Sequence, residues 1–279
     1  PVPFFHFYGG NMQKDLELAL RPEQLDDRRN LLRGLDQIKR SIDARLLEGV
    51  DRFQEQAFQA ILGGVARAFD LAQEDPKTVA RYDTAPLVRP DQISRKWNNY
   101  NNYVDNAKTL GKLLLLCRRL CESGCGFGTV TTNFVWDMHA DVNNATMEEG
   151  MQYMGGPLDY AVSAFLEDVQ ARGLSDKILL VVSGEMGRTP RLNKNGGRDH
   201  WGGLSPLLLS GGGLKMGQVI GHSTRDAGEP ASEPLGIDNL LATIMQTLLR
   251  VGEVRLLSSL PTDVLRAITT PSPIPGLIG

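Results

Sequence analysis

The chain has 279 residues, 41% hydrophobic and 23% charged, with a formal net charge of -3. This is globular material, which excludes wholesale disorder and offers no basic footprint for nucleic acid. No apolar run approaches the roughly 20 residues that a membrane span needs, and no signal peptide is legible.

Residues Pro1–Arg21 open on the aromatic run PFFHFYGG and define no clear element; His6 reads as readily as packing as function. Leu31, Leu35, Ile38, Ile42 and Leu46 recur at helical spacing and predict an amphipathic helix over Asp26–Leu47, broken by Gly49. Val50, Phe53, Ala57 and Ile61 predict a second helix that weakens at Gly63-Gly64 and resumes through Val65 and Phe69. Together they predict a helical hairpin inserted over residues 22–75, with its charges on a solvated face.

Pro76, Pro86 and Pro90 punctuate an irregular stretch that ends in WNNYNNY, Trp97–Tyr103. The bland reading is a loop and helix start with rings tucked inward; the competing one is a carbohydrate-stacking platform of Trp97, Tyr100 and Tyr103. Tyr103, Ala107, Leu110, Leu114, Cys117 and Cys121 then fall on a 4-3-4-3-4 spacing, the apolar stripe of one helix. That stripe makes Cys117 and Cys121 small buried hydrophobes, and Cys125, past the helix stop at Gly124, starts the next strand, a reading preferred to a metal cluster or a disulfide framework.

Phe127–Thr132 alternates like a strand and runs into Asp137, Met138 and His139. A helix follows with Pro157 in its first turn, an apolar face of Leu158, Ala161, Val162, Phe165, Leu166 and Val169, and Gly173 just past its end. Ile178–Val182 is a continuous apolar run, as expected of a strand covered on both faces in a parallel sheet. Leu204–Leu209 predicts a further strand, His222–Pro234 a surface loop, Asp238 the cap of a helix bearing Leu241, Ile244, Met245 and Leu248, and Pro271 the start of a surface tail. This alternation predicts an α/β fold, a mainly parallel sheet with helices on both faces.

Ligands in open α/β sheets sit outside the carboxyl ends of strands. Asp137 and His139 follow one predicted strand, Glu185 the next, and Asp199 and His200 close the loop to a third. In a parallel sheet these five side chains gather at one edge, giving two imidazoles and three carboxylates for a divalent metal: Zn²⁺, Mn²⁺, Mg²⁺ or Ca²⁺. Arg188 and Arg198 add planar donors for a phosphate or sulfate; alternatively they pair with Glu185 and Asp199 to hold the loop. No hydrolytic triad is legible, because Ser183 and Ser205 lack a glycine elbow.

The string SGEMGRTPRLNKNGGRDHW, with WDMH upstream and LDYAVSAFLEDVQARGL between, resembles the DUF1501 family over about Leu25 to Arg250. The resemblance implies the alkaline phosphatase and sulfatase superfamily: a doubly wound α/β sheet, divalent metal at its carboxyl edge, and hydrolysis of phosphate or sulfate esters by a Thr, Ser or formylglycine nucleophile. It carries Asp137, His139, Glu185, Asp199 and His200 over as metal ligands.

The chain departs from that pattern at Glu185-Met186, where many members have Asp-His, and at Leu241, where relatives often have histidine. The nucleophile belongs upstream of anything visible, so the chain is expected to be a single, N-terminally incomplete domain over residues 1–279. Its sheet would then be completed by the missing segment or by a partner chain. The expected function is a metal-dependent ester hydrolase acting on a small anionic ester or sulfated carbohydrate. The alternative is a non-catalytic binding or structural subunit of a cell-surface assembly. Relatives often carry export signals, which implies the periplasm or cell surface.

Overall fold

A computed structural model describes residues 4–7, 65–258 and 260–278. The predicted helices over Asp26–Leu47 and Val50–Ile61, hence most of the hairpin of residues 22–75, lie outside the described residues. The chain divides into two compact units: Pro1–Asp83 with Leu110–Thr131, and Thr84–Thr109 with Thr132–Gly279.

In the first unit, strand β1 (Phe4–Phe7) pairs in parallel with β2 (Phe127–Val130), Phe4 opposite Phe127. Helix α1 (Val65–Ala68) is followed by a single 3-10 turn at Leu71–Gln73 and by α2 (Pro76–Arg81). Asp75 caps α2, its Oδ2 accepting from the Thr78 amide at 3.0 Å, and Pro76 takes the first helical position, where a missing N–H does no harm. The core gathers Ala68, Leu120 and Cys125, with Cys117 packed against it. All three cysteines are free thiols; Cys125 is buried, whereas Cys117 and Cys121 are only partly so.

Helix α3 (Tyr100–Glu122) runs through residues of both units. Its Tyr103, Ala107, Leu110 and Leu114 are buried, the 4-3-4 stripe of the sequence. In the second unit Trp97, Tyr103 and Ala107 join Val135, Met138, Tyr153 and Met154 in one cluster. The rings of WNNYNNY thus pack inward at Trp97 and Tyr103, which removes the proposed carbohydrate platform.

Helix α4 (Met147–Ala171) begins ten residues earlier than the position of Pro157 suggests. Thr146 is its cap: Oγ1 accepts from the Glu149 amide at 3.2 Å and donates to the Glu149 carboxylate at 3.0 Å. Pro157 sits inside the helix, where it removes one backbone hydrogen bond and is buried. At the far end of the unit, Gly236, not Asp238, caps α5 (Ile237–Leu248), and the Asn239 side chain reaches back to the Gly236 amide at 2.9 Å. Helices α6 (Val251–Val254) and α7 (Thr262–Thr269) follow. Among the described residues no helix is long and apolar enough to cross a membrane.

The expected doubly wound, mainly parallel sheet with helices on both faces is not the fold found. Strand β3 (Leu179–Ser183) pairs antiparallel with β6 (Leu207–Gly211), with Leu179 opposite Gly211 and Ser183 opposite Leu207. Between them, β4 (Gly187–Arg188) and β5 (His200–Trp201) form a second antiparallel ribbon. Among the described residues every sheet has two strands, and the one parallel pair is β1 with β2. The reason lies in the connection: a parallel pair needs a crossover, usually a helix, and residues 184–206 contain none. The apolar run of β3 is also only partly buried.

Candidate functional site

Met138 sets the orientation of the first segment. It is 1% exposed and fills the space over Gly150 of α4, where an added Cβ would stand 2.5 Å from its sulfur. With Met138 anchored in the core, its neighbours Asp137 and His139 are left at the surface of the loop. A tight turn joins them, the His139 amide donating to the Asp137 carbonyl at 2.8 Å.

An asparagine ladder holds this loop from behind. Asn98 and Asn99 donate their amides to the carbonyls of Val142 and Asn143 at 3.0 and 3.1 Å. Their side-chain nitrogens donate to Asn143 and Asn144, each at 3.0 Å. Asp141 accepts from the amides of Asn143 and Asn144 at 2.8 and 2.9 Å, and the Tyr103 hydroxyl accepts from the Ala145 amide at 3.2 Å.

The β4–β5 ribbon supplies the second segment. Arg188 stands directly opposite His200, so both side chains leave the same face of the ribbon. They converge on one oxygen. Asp137 Oδ1 accepts from Arg188 Nη2 at 2.7 Å and lies 2.9 Å from His200 Nε2 and 3.0 Å from His139 Nε2. The two Nε2 atoms are 3.0 Å apart. Arg188 Nη1 approaches His139 Nε2 at 3.4 Å.

The third segment is the turn from Asn193 to Gly197. Asn193 Oδ1 accepts from the amides of Asn195 and Gly197, each at 3.0 Å, and its Nδ2 donates to the His139 carbonyl at 2.9 Å. Gly197 lies against the His139 backbone, where a Cβ would overlap the carbonyl and stand 2.7 Å from the Ala140 nitrogen. Arg198 continues the link, its amide donating to the Met138 carbonyl at 2.9 Å.

Electrostatics favour an anionic Asp137. Burial pushes its carboxyl up, but hydrogen bonds from His200 and Arg188 outweigh this and hold it below the usual carboxylate range. Asp199 is also depressed, by its hydrogen bonds with His139 and Asn193. Burial raises Asp141 in the same way as Asp137, and the amides of Asn144 and Asn143 bring it down.

Of the five predicted ligands, Asp137, His139 and His200 each offer one atom to a group within 4.8 Å of one another. Cis ligands on an octahedral ion with bonds of about 2.1 Å stand about 3.0 Å apart, so edges of 2.9 to 3.0 Å fit a facial three-ligand set. Three lone-pair atoms at this spacing repel unless a proton or cation lies among them. Asp199 stands behind His139, on its Nδ1 at 3.1 Å. Glu185 is exposed and outside the group. Of the two predicted anion-binding arginines, Arg188 joins the group, whereas Arg198 Nη1 donates to the carbonyls of Thr189 and Pro190 at 2.7 and 2.8 Å and braces the loop.

Sequence reasoning missed Asn193 and the ladder of Asn98, Asn99, Asn143 and Asn144. The signal for Asn193 is its place four residues before Gly197, since asparagine side chains mimic a backbone turn. Nothing local marks the ladder, because its two strips are some 45 residues apart.

A family described as "Protein of unknown function (DUF1501)" matches residues 11–254. No curated protein and no solved structure matches the chain.

Proposed function

Since the chain belongs to the DUF1501 family, whose description names no reaction, we propose from its site that it is a metal-dependent hydrolase of phosphate or sulfate esters. The observation that carries this reading is the convergence of Asp137 Oδ1, His139 Nε2 and His200 Nε2 within 2.9 to 3.0 Å, beside the Arg188 guanidinium. A divalent ion there would supply Lewis-acid polarisation of an ester oxygen and acidify a water for attack at neutral pH.

The chain's own residues supply the rest. Asp137, held anionic, offers charge to a cation. Arg188 presents planar donors for which a phosphate or sulfate oxygen competes with Asp137. Arg191 and Lys194, exposed on the same loop, add positive field that steers an anionic ester inward. Two imidazoles among three donors favour Zn²⁺ over Mn²⁺, Mg²⁺ or Ca²⁺, which are better suited by oxygen donors. A small anionic ester or a sulfated carbohydrate fits this charge.

Metal analysis of the purified protein tests the reading first. About one divalent ion per chain is expected in wild type and none in His200→Ala. Assays on aryl phosphate and aryl sulfate follow, where wild type turns over one of them and His200→Ala loses at least about 100-fold. Equal rates in the two proteins overturn the catalytic role. A bound ion with no turnover of either ester supports the binding-subunit alternative instead.

A further inference from the structure

We propose that Asp199, pinned by Asn193, is a positioning residue that fixes the tautomer and orientation of His139, and is not itself a metal ligand. The proposal rests on the metal site argued above and assigns two of the loop's polar residues roles outside the three-atom donor set.

Asp199 Oδ1 lies 3.1 Å from His139 Nδ1, the ring nitrogen opposite the one that faces Asp137 and His200. An ionised carboxylate only accepts, so Nδ1 must carry the hydrogen and Nε2 keeps its lone pair. That is the tautomer an Nε2 ligand needs, and a carboxylate behind the ring is the usual way to hold it. Asp199 itself is held by its backbone: its amide donates to Thr189 Oγ1 at 3.1 Å and its carbonyl accepts from the Thr189 amide at 2.9 Å.

Asn193 makes the arrangement rigid. Its oxygen is committed to two backbone amides, those of Asn195 and Gly197. Its nitrogen therefore faces two acceptors, the His139 carbonyl at 2.9 Å and Asp199 Oδ1 at 3.2 Å. Rotating the His139 ring would break its bond to Asp199 while its backbone stayed tied to the same asparagine.

One consequence separates positioning from ligation. At position 199 two N–H groups, from Asn193 and His139, point at a single atom, so an asparagine placed there must present its oxygen to both. Asp199→Asn removes the charge but keeps the acceptor; Asp199→Leu removes both. Because residue 199 keeps its backbone pairing to Thr189 in each, both variants are expected to fold.

The experiment combines ¹⁵N-histidine NMR of the metal-free proteins with Zn²⁺ titration by calorimetry. In wild type His139 should carry its proton on Nδ1. Asp199→Asn should keep that tautomer and a Zn²⁺ affinity within several-fold, whereas Asp199→Leu should shift the proton towards Nε2 and weaken Zn²⁺ binding about 10- to 100-fold at unchanged stoichiometry.

A proton on Nε2 of His139 in wild type overturns the proposal. So does an Asp199→Asn variant that loses Zn²⁺ as completely as Asp199→Leu, which is the behaviour of a carboxylate ligand. If wild type binds no Zn²⁺, the hydrolase reading fails, and the tautomers alone decide the role of Asp199.

Discussion

Two charged clusters in this protein use the same groups to opposite ends. In the first unit, Glu74 and Arg118 have side chains 6% and 1% exposed, and their donors and acceptors match. Arg118 Nη2 donates to Glu74 at 2.6 Å and Nη1 to Glu122; Arg119 Nη1 donates to Glu74 at 2.9 Å. The remaining Arg119 nitrogens reach the carbonyls of Ala68, Arg67 and Asp70 at 2.8, 3.0 and 3.2 Å. In the second unit, one oxygen of Asp137 is shared by three nitrogens, two imidazole nitrogens face each other, and His200 is 53% exposed. A cluster whose partners match, sealed from water, locks a segment in place. One in which three nitrogens crowd a single oxygen, open to solvent, has the spacing of a candidate cation site.

Removing Glu74 breaks that contrast most severely. Glu74→Ala leaves the buried Arg118 and the partly buried Arg119 without their shared carboxylate, and a loss of about 3 to 5 kcal/mol is expected from chemical denaturation. A loss under about 1 kcal/mol, the range of an exposed pair, would show that the cluster is not a lock.

Acid titrates the same lock. Burial alone would raise Glu74, but hydrogen bonds from Arg119 and Arg118 bring its carboxyl down from 4.5 to about 2. Because the folded value lies below the unfolded one, this contribution is fully present above about pH 4.5 and is lost as the pH falls towards 2. It is on the order of 3 kcal/mol, since each unit is worth about 1.4. Denaturation midpoints of wild type and Glu74→Gln should therefore converge across that window; a constant gap down to pH 2 contradicts the assignment.

The open cluster also depends on backbone spacing. Gly197→Ala forces the Asn193–Gly197 turn away from His139, because the atoms it meets are backbone and cannot swing aside. The separation strains the bonds from the Arg198 amide to Met138 and from Asn193 to the His139 carbonyl. A stability loss of about 1 to 3 kcal/mol is expected, with Zn²⁺ affinity down by more than about 10-fold in calorimetry. Unchanged Zn²⁺ binding would mean that the turn does not shape the site.

The two clusters also differ in how far the sequence reveals them. The polar residues after the apolar run at Ile178–Val182 are legible as a site, and Asp137, His139 and His200 do meet. The route differs: an antiparallel ribbon aligning Arg188 with His200 replaces the expected edge of a parallel sheet. An apolar pentapeptide cannot report strand direction, which depends on whether the connection holds a helix. Pro157 misplaces the start of α4 for a similar reason: a buried proline at mid-helix carries the same local signature as one in a first turn. Glu74 and Arg118 stand 44 residues apart, so periodicity offers no trace of their pairing. By contrast the 4-3-4 stripe of α3, which depends only on helix geometry, is read correctly through Leu114.

Thr146 gives the smallest and most selective test, because it lies where stability and site meet. Its hydroxyl caps α4 through the Glu149 amide, and its loss in Thr146→Ala is expected to cost about 1 kcal/mol by denaturation. The link from α4 to the site turn is separate: the Met147 amide donates to the Gly196 carbonyl at 3.0 Å, a backbone bond that the substitution leaves intact. Zn²⁺ affinity should therefore stay within about 2-fold of wild type while stability falls, because the bond from Met147 to the site turn does not use the hydroxyl that is removed. If affinity fell in step with stability, the cap of α4 would itself be holding the turn against His139, and the separation between a structural lock and a receptive site would fail at this point.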